Sequence, residues 1–304
     1  MSLFTSPPVK RAMRLVVTAL DRRIKRIAGV ENAELTRRLE QAQRQLDKAT
    51  VNNYAVELLL GRSGRGSHRT PTRTQVGGLA GEVREATGVD AAERHVHLAY
   101  RTLVVLEALG SGRVAGGTMN VLGKLSAIPL LKPPNGDVLE IGTLHGLFAA
   151  GLVRQLVSAG YAPHLTIVDP LAEVQLQPGH VLGADPSGTP ISENVVRANL
   201  GLSGLPEARI RLRRGFSDDS EVRAAVSDRE YGVVVIDGDH SEEGVRKDLE
   251  WAETLVASGG VVVLDDYTDA SWPGVEAALE KHLEGSTRFT LVGRVATSGF
   301  LRAD

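Results

Sequence analysis

GVVVIDGDHSEEGVRKDLEWAETLVASGGVVVLDDY, residues 232–267, contains a whole strand–helix–strand unit. Its two ends, GVVVIDGDH (232–240) and GVVVLDDY (260–267), are short runs of Val, Ile and Leu closed by acidic residues. Such runs read as strands buried on both faces, and the periodic segment between them reads as the crossover helix that a parallel pair needs. The same alternation extends backwards. DVLEIGT (137–143), HLTIVDP (164–170) and ARIRLRRG (208–215) are strands, with HGLFAAGLVRQLVSAG (145–160) and ENVVRANLGL (193–202) as helices. Forwards, TRFTLVGRVATSGFLRAD (287–304) reads as two strands joined by a Gly-containing turn. The expected fold is α/β: a Rossmann-like, doubly wound, seven-stranded and mostly parallel sheet with an antiparallel C-terminal hairpin, preceded by a helical N-terminal region.

That N-terminal region differs in charge from the rest. Residues 1–100 hold 17 Lys+Arg against 10 Asp+Glu, within a 304-residue chain that carries 35 and 37 in all. Val9, Met13, Val16, Leu20, Ile24 and Ile27 recur at helical spacing among Arg and Lys, giving a basic amphipathic helix that ends near Gly29. Leu35, Leu39, Ala42, Leu46, Ala49, Asn53, Val56 and Leu60 then alternate steps of four and three, the heptad of a coiled coil with Asn53 on the seam. One long helix packed on its own domain is the other reading. The expected organisation is a helical and possibly coiled-coil region 1–60, a flexible linker 61–78, a helical segment 79–130 packing on the sheet domain, and a sheet domain 131–304. The helix NVLGKLSAI (120–128) precedes the turn KPPNGD (132–137). Self-association through the N-terminal helices is expected, nucleic acid is not, and peripheral membrane contact is disfavoured against a solvated basic face.

The absence of cysteine excludes disulfides, a thiol nucleophile and a thiolate zinc site. No run of about 18 apolar residues exists to cross a membrane. The short MRLVVTAL (13–20) is followed by DRRIKR in place of a cleavage site, so a cytoplasmic protein is expected.

In open α/β sheets ligands bind beyond the carboxyl ends of the strands. Glu140, Gly142, Gly146, Asp169, Asp237, His240, Asp265 and Asp266 fall there. The first turn is E-I-G-T-L-H-G, a G-x-x-x-G spacing that lacks the G-x-G-x-x-G of nicotinamide-dinucleotide binders. Three carboxylates converging from adjacent strands would repel one another unless a cation neutralised them, and oxygen-only ligation favours Mg²⁺ or Mn²⁺. Plain turn capping is the alternative for Asp265-Asp266, and helix capping for His240. The segment 171–192 is long for a connection and reads as a lid or substrate wall, with His180 and Asp185 as residues that could meet an acceptor.

LEIGTLHGLFA, Asp169 closing the second strand, and IDGDHSEEGVRKDLEW with LVASGGVVVLDDY together resemble class I S-adenosylmethionine-dependent methyltransferases. More narrowly, they resemble the metal-dependent O-methyltransferases of the catechol and macrolide-sugar types, over roughly residues 115–304. The terminal Asp-Asp is closer to the sugar-modifying group than to the Asp-Asn of the catechol type. The resemblance implies that Glu140, Gly142 and Gly146 border the methionine part of the cofactor and that Asp169 accepts the ribose hydroxyls. It places Phe216, Ser217 and Asp218 near the adenine, Asp237, Asp265 and Asp266 around Mg²⁺ (or Mn²⁺), and His240 as general base. The expected reaction moves a methyl group from S-adenosylmethionine to a hydroxyl of a sugar or other small polyol or natural-product acceptor. The alternative is a non-catalytic methyltransferase-fold scaffold acting through its N-terminal helices.

Overall fold

The computed structural model describes residues 7–60, 69–172 and 188–304, which divide into two units, Met1–Leu58 and Leu59–Asp304. In the first unit α1 (Pro7–Leu60) is one continuous helix. The expected break at Gly29 does not occur. A single glycine costs a helix only about 1 kcal/mol against alanine, and the helix formers on both sides carry the turn through it. Met13, Val16, Leu20, Ile24, Ile27, Leu35, Leu39 and Leu46 are exposed along α1, while the side chains of Val9, Asn53, Val56 and Leu60 lie outside the described residues.

The second unit begins where a linker was expected. Residues 61–68 lie outside the described residues, but α2 (Arg73–Thr87) already occupies the end of the 61–78 stretch. Its signal was a capping box: the Thr72 hydroxyl accepts from the Gln75 amide at 3.2 Å, and the Gln75 side chain accepts from the Thr72 amide at 2.9 Å. Arg69, within the expected linker, is buried and paired with Glu107 at 3.1 Å. It also donates to the carbonyls of Gly116, at 3.0 Å, and Val114, clamping the segment that leads into α4 (Thr118–Leu130). With α3 (Ala92–Leu109), α2 and α4 pack against each other and, through α3 and α4, against α5 (Leu147–Ser158) of the sheet domain.

The sheet contains β1 (Asp137–Ile141), β2 (His164–Asp169), β3 (Ile210–Arg214), β4 (Tyr231–Ile236), β5 (Val256–Leu264), β6 (Phe289–Val295) and β7 (Ser298–Ala303), in the order β3-β2-β1-β4-β5-β7-β6. β1 to β5 are parallel, and β7 runs antiparallel between β5 and β6. This is the expected doubly wound sheet with its reversed hairpin. Remaining helices are α6 (Glu193–Leu200), α7 (Ser220–Val226), α8 (Glu242–Leu255) and α9 (Pro273–Glu284). One boundary moves: α8 stops at Leu255, and the Gly259–Gly260 pair expected at its end is part of β5. The register shifts there between Tyr231 and Val233, and Gly259 has φ +73°, so the glycines make an irregularity in the strand and not a helix cap.

Strand alternation sorts the core into two faces. Val138, Val233, Val235, Val261 and Val263 join the cluster containing α4 and α5, whereas Leu139, Val234, Ile236, Val262 and Leu264 join the one containing α8 and α9. Continued past the strand ends, this parity points Glu140, Asp237 and Asp265 toward α4. Among the described residues, no helix is long and apolar enough to cross a membrane.

Candidate active site

The ladder does not stop where the strands do. The Asp237 amide donates to the Ile141 carbonyl at 2.9 Å and the Asp265 amide to the Ile236 carbonyl at 3.0 Å, so the ends of β1, β4 and β5 stay in register. Gly142, at φ +86°, is needed for this: a Cβ there would collide with the backbone of Asp237 and Gly238. Asp266 is also left-handed, at φ +53°, which breaks the alternation that would otherwise throw it to the face opposite Asp265. The three expected aspartates are thereby brought together.

His240 completes the group. Its Nε2 lies 3.7 Å from Asp237 Oδ1 and 3.6 Å from Asp266 Oδ2, and its ring stacks on Trp272 with centroids 4.9 Å apart. The His240 ring is buried, held by the short turn from β4 into α8 that Ser241 caps through the Gly244 amide at 3.1 Å.

A residue not anticipated as part of the site sits among the carboxylates. Lys124, from α4 and 2% exposed, places Nζ 2.7 Å from Asp265 Oδ2 and 3.6 Å from Asp237 Oδ2, beneath the Phe148 ring at 4.6 Å from its centroid. Asp265 Oδ1 accepts from Asn120 Nδ2 at 2.7 Å and lies 2.8 Å from the Ser298 hydroxyl. Burial works against both charges, yet the Asp265 and Asp237 carboxylates hold Lys124 above its ordinary value, and Lys124 holds Asp265 below its own. Burial and the neighbouring Asp265 charge push Asp237 well up, and push Asp266 to about 7. The expected Mg²⁺ or Mn²⁺ does not fit this donor set. Both oxygens of Asp265 are engaged by an ammonium and neutral donors, and among the described residues no three His, Asp or Glu side chains form a group able to hold a metal ion.

A cavity of about 350 Å³ runs from the β1 turn to this cluster, lined by Gly142, Thr143, Asp169, Phe216, Ser217, Asp237 and His240 among others. Asp169 stands at its far end. Its Oδ2 accepts from the Thr143 amide at 2.8 Å and its Oδ1 from the Leu171 amide at 2.6 Å, which fixes the carboxylate at the tip of β2. Phe216, 54% exposed, and Ser217 form a wall. Three expected cofactor residues lie elsewhere. Gly146 starts α5 at φ +75° and packs against Val196, and Asp218 faces Lys247 at 3.3 Å. Glu140 is buried beneath the turn. His180 and Asp185 lie outside the described residues.

Residues 139–267 match the family model described as a methyltransferase domain. No curated protein matches the chain. Among solved structures, the O-methyltransferase NovP aligns at 18% identity over 76% of this chain and 96% of its own, with a TM-score of 0.48. CalS11, titled a TDP-rhamnose 3'-O-methyltransferase of calicheamicin biosynthesis, aligns at 16% over 77% and 96%, with a TM-score of 0.44. An O-methyltransferase from Bacillus cereus aligns at 17% over 69% and 90%, with a TM-score of 0.40. These likenesses are distant.

Glu140 gives the sheet domain a pH signature. Burial pushes its carboxyl up to about 8, and its Oε2 has no hydrogen-bond partner among the described residues. The folded chain thus keeps a proton that the unfolded chain releases from an ordinary glutamate, so this group's contribution to stability falls as pH rises between those two values, by about 1.4 kcal/mol per pH unit. Glu140→Gln keeps the shape and removes the titration. Thermal melts are expected to show the variant gaining on the wild type by several degrees between about pH 5 and about pH 8. A difference that is constant with pH would remove Glu140 from this role.

Proposed function

We propose that the methyltransferase domain transfers a methyl group from S-adenosylmethionine to a hydroxyl of a sugar or other small polyol acceptor. The observation that carries this reading is the placing of a buried imidazole between two carboxylates at the mouth of a cavity whose other end presents Asp169. The residues fit the donor: the cavity joins a fixed carboxylate suited to vicinal hydroxyls, an exposed aromatic wall, and an acidic end that favours a sulfonium.

When bound, S-adenosylmethionine supplies an electrophilic methyl group on sulfur. Asp169 holds the ribose hydroxyls, and Phe216 with Ser217 borders the adenine. His240 takes the acceptor hydroxyl's proton at Nε2 as the oxygen–methyl bond forms, and the electron pair of the broken carbon–sulfur bond stays on sulfur. Asp237 and Asp266 orient the imidazole and stabilise the imidazolium, while Trp272 fixes the ring plane. Lys124, held protonated, does not serve as the base.

The test is calorimetry with S-adenosylhomocysteine, followed by transfer of labelled methyl from S-adenosylmethionine to a panel of sugars, glycosides and polyols. Binding and labelled product are the expected results. Absence of binding would sink the reading, and binding without transfer would favour the scaffold alternative. The exposed apolar stripe of α1 supports self-association through that helix.

A further inference from the structure

The aspartate cluster has its own cation. Lys124 reaches it from a helix in which every residue from Thr118 to Pro129 except Met119 is buried, so its charge has no route to solvent and must be met inside. It is met by oxygens of two different strand ends, Asp265 Oδ2 and Asp237 Oδ2, at 2.7 and 3.6 Å. The opposite oxygen of Asp265 is tied to Asn120 at 2.7 Å, and Ser298 lies 2.6 Å from Asn120 Oδ1, closing a buried frame around the pair. A magnesium-sized ion asks for an octahedron of oxygens at about 2.1 Å, whereas these oxygens are arranged for donors at hydrogen-bond distance.

We infer that Lys124 is the resident cation of this cluster, taking the place of a divalent metal and positioning Asp237 against His240, so that methyl transfer proceeds without Mg²⁺ or Mn²⁺. The inference rests on the methyl-transfer reading. Lys124 is not among the residues lining the cavity, so it acts through Asp237 and is a positioning residue. It keeps Asp265 ionised and draws Oδ2 of Asp237 inward, which leaves Oδ1 facing the imidazole. One ammonium and one imidazole then do what an ion and a base do together in a metal-bound site: they balance the carboxylates and receive the proton.

The test follows Mn²⁺ by electron paramagnetic resonance, using the full chain with S-adenosylhomocysteine present. Wild type is expected to bind no stoichiometric Mn²⁺ and to keep its transfer rate in EDTA. Lys124→Ala is expected to gain one Mn²⁺ site, because it removes the ammonium and leaves the aspartates in place, and Asp237→Asn added to it should abolish that site. A purely structural lysine would not yield a gain of metal. Stoichiometric Mn²⁺ on the wild type, lost in Asp237→Asn, overturns the inference, as does a folded Lys124→Ala chain that binds none. If Lys124→Ala does not fold, the wild-type titration and the EDTA arm decide alone. Failure of wild type to bind S-adenosylhomocysteine counts against the methyl-transfer reading and leaves the Mn²⁺ result standing on its own.

Discussion

His240→Ala is expected to lower kcat for methyl transfer by about 10²–10⁴-fold, the range lost when a positioned proton acceptor is removed. The KM for the methyl donor should stay nearly unchanged, because Asp169, Phe216 and Ser217 lie at the other end of the cavity. The size of the effect follows from the setting of the ring. A buried imidazole fixed by Trp272 and flanked by Asp237 and Asp266 is held for one orientation, so no neighbour replaces it. Lys124 is kept charged by Asp265 and Asp237 and has no free base to offer. Steady-state kinetics across pH give a second readout. The fall in rate on the acid side, which reports protonation of the acceptor group, should flatten in the variant. An unchanged kcat would move proton acceptance to another residue.

Asp265→Ala should be the most destabilising of the single substitutions at the site. It leaves the Lys124 ammonium buried with Asp237, at 3.6 Å, to face it, and it takes from Asn120 Nδ2 and the Ser298 hydroxyl the acceptor that they share. Breaking a buried ion pair on one side costs about 3–5 kcal/mol, equivalent to a fall in Tm of roughly 6–20 °C for a unit of this size. The double variant Asp265→Leu with Lys124→Met is expected to recover much of that loss, since apolar residues of similar volume replace such pairs at little cost. Calorimetric melts of Asp265→Leu, Lys124→Met and the double form the cycle. A single substitution that costs under about 1 kcal/mol would mean that the pair is solvated and not buried.

Much of the sheet was legible because parallel strands buried on both faces are written as plain runs of Val, Ile and Leu. The turn into α8 was likewise marked by acidic residues and a serine cap. The strand-end positions and the family resemblance then singled out Asp237, Asp265 and His240 without any long-range information. Lys124 was not read as part of the site. In NVLGKLSAI it looks like a lysine whose charge reaches solvent from the edge of an apolar helix, and nothing local says which carboxylate it meets more than a hundred residues later. The available signal was that this helix is apolar nearly all round, which requires a buried partner for its one charge. Arg69 shows the same limit: its setting among Gly, Ser and Thr looks like linker, and only the fold brings Glu107 and the Val114 carbonyl to it. Gly142 lines the cavity and its positive φ also allows the close approach of Asp237 and Gly238, whereas Gly146 packs against Val196 away from the lining.

Ser298, on the strand that slips between β5 and β6, meets Asn120 across 178 positions of chain. A ribosome therefore makes the last brace of the cage long after the lysine that the cage surrounds. Until β7 is threaded into its slot, the acids and the ammonium are present without the hydroxyl that braces them, so the cage closes only once that strand has been placed.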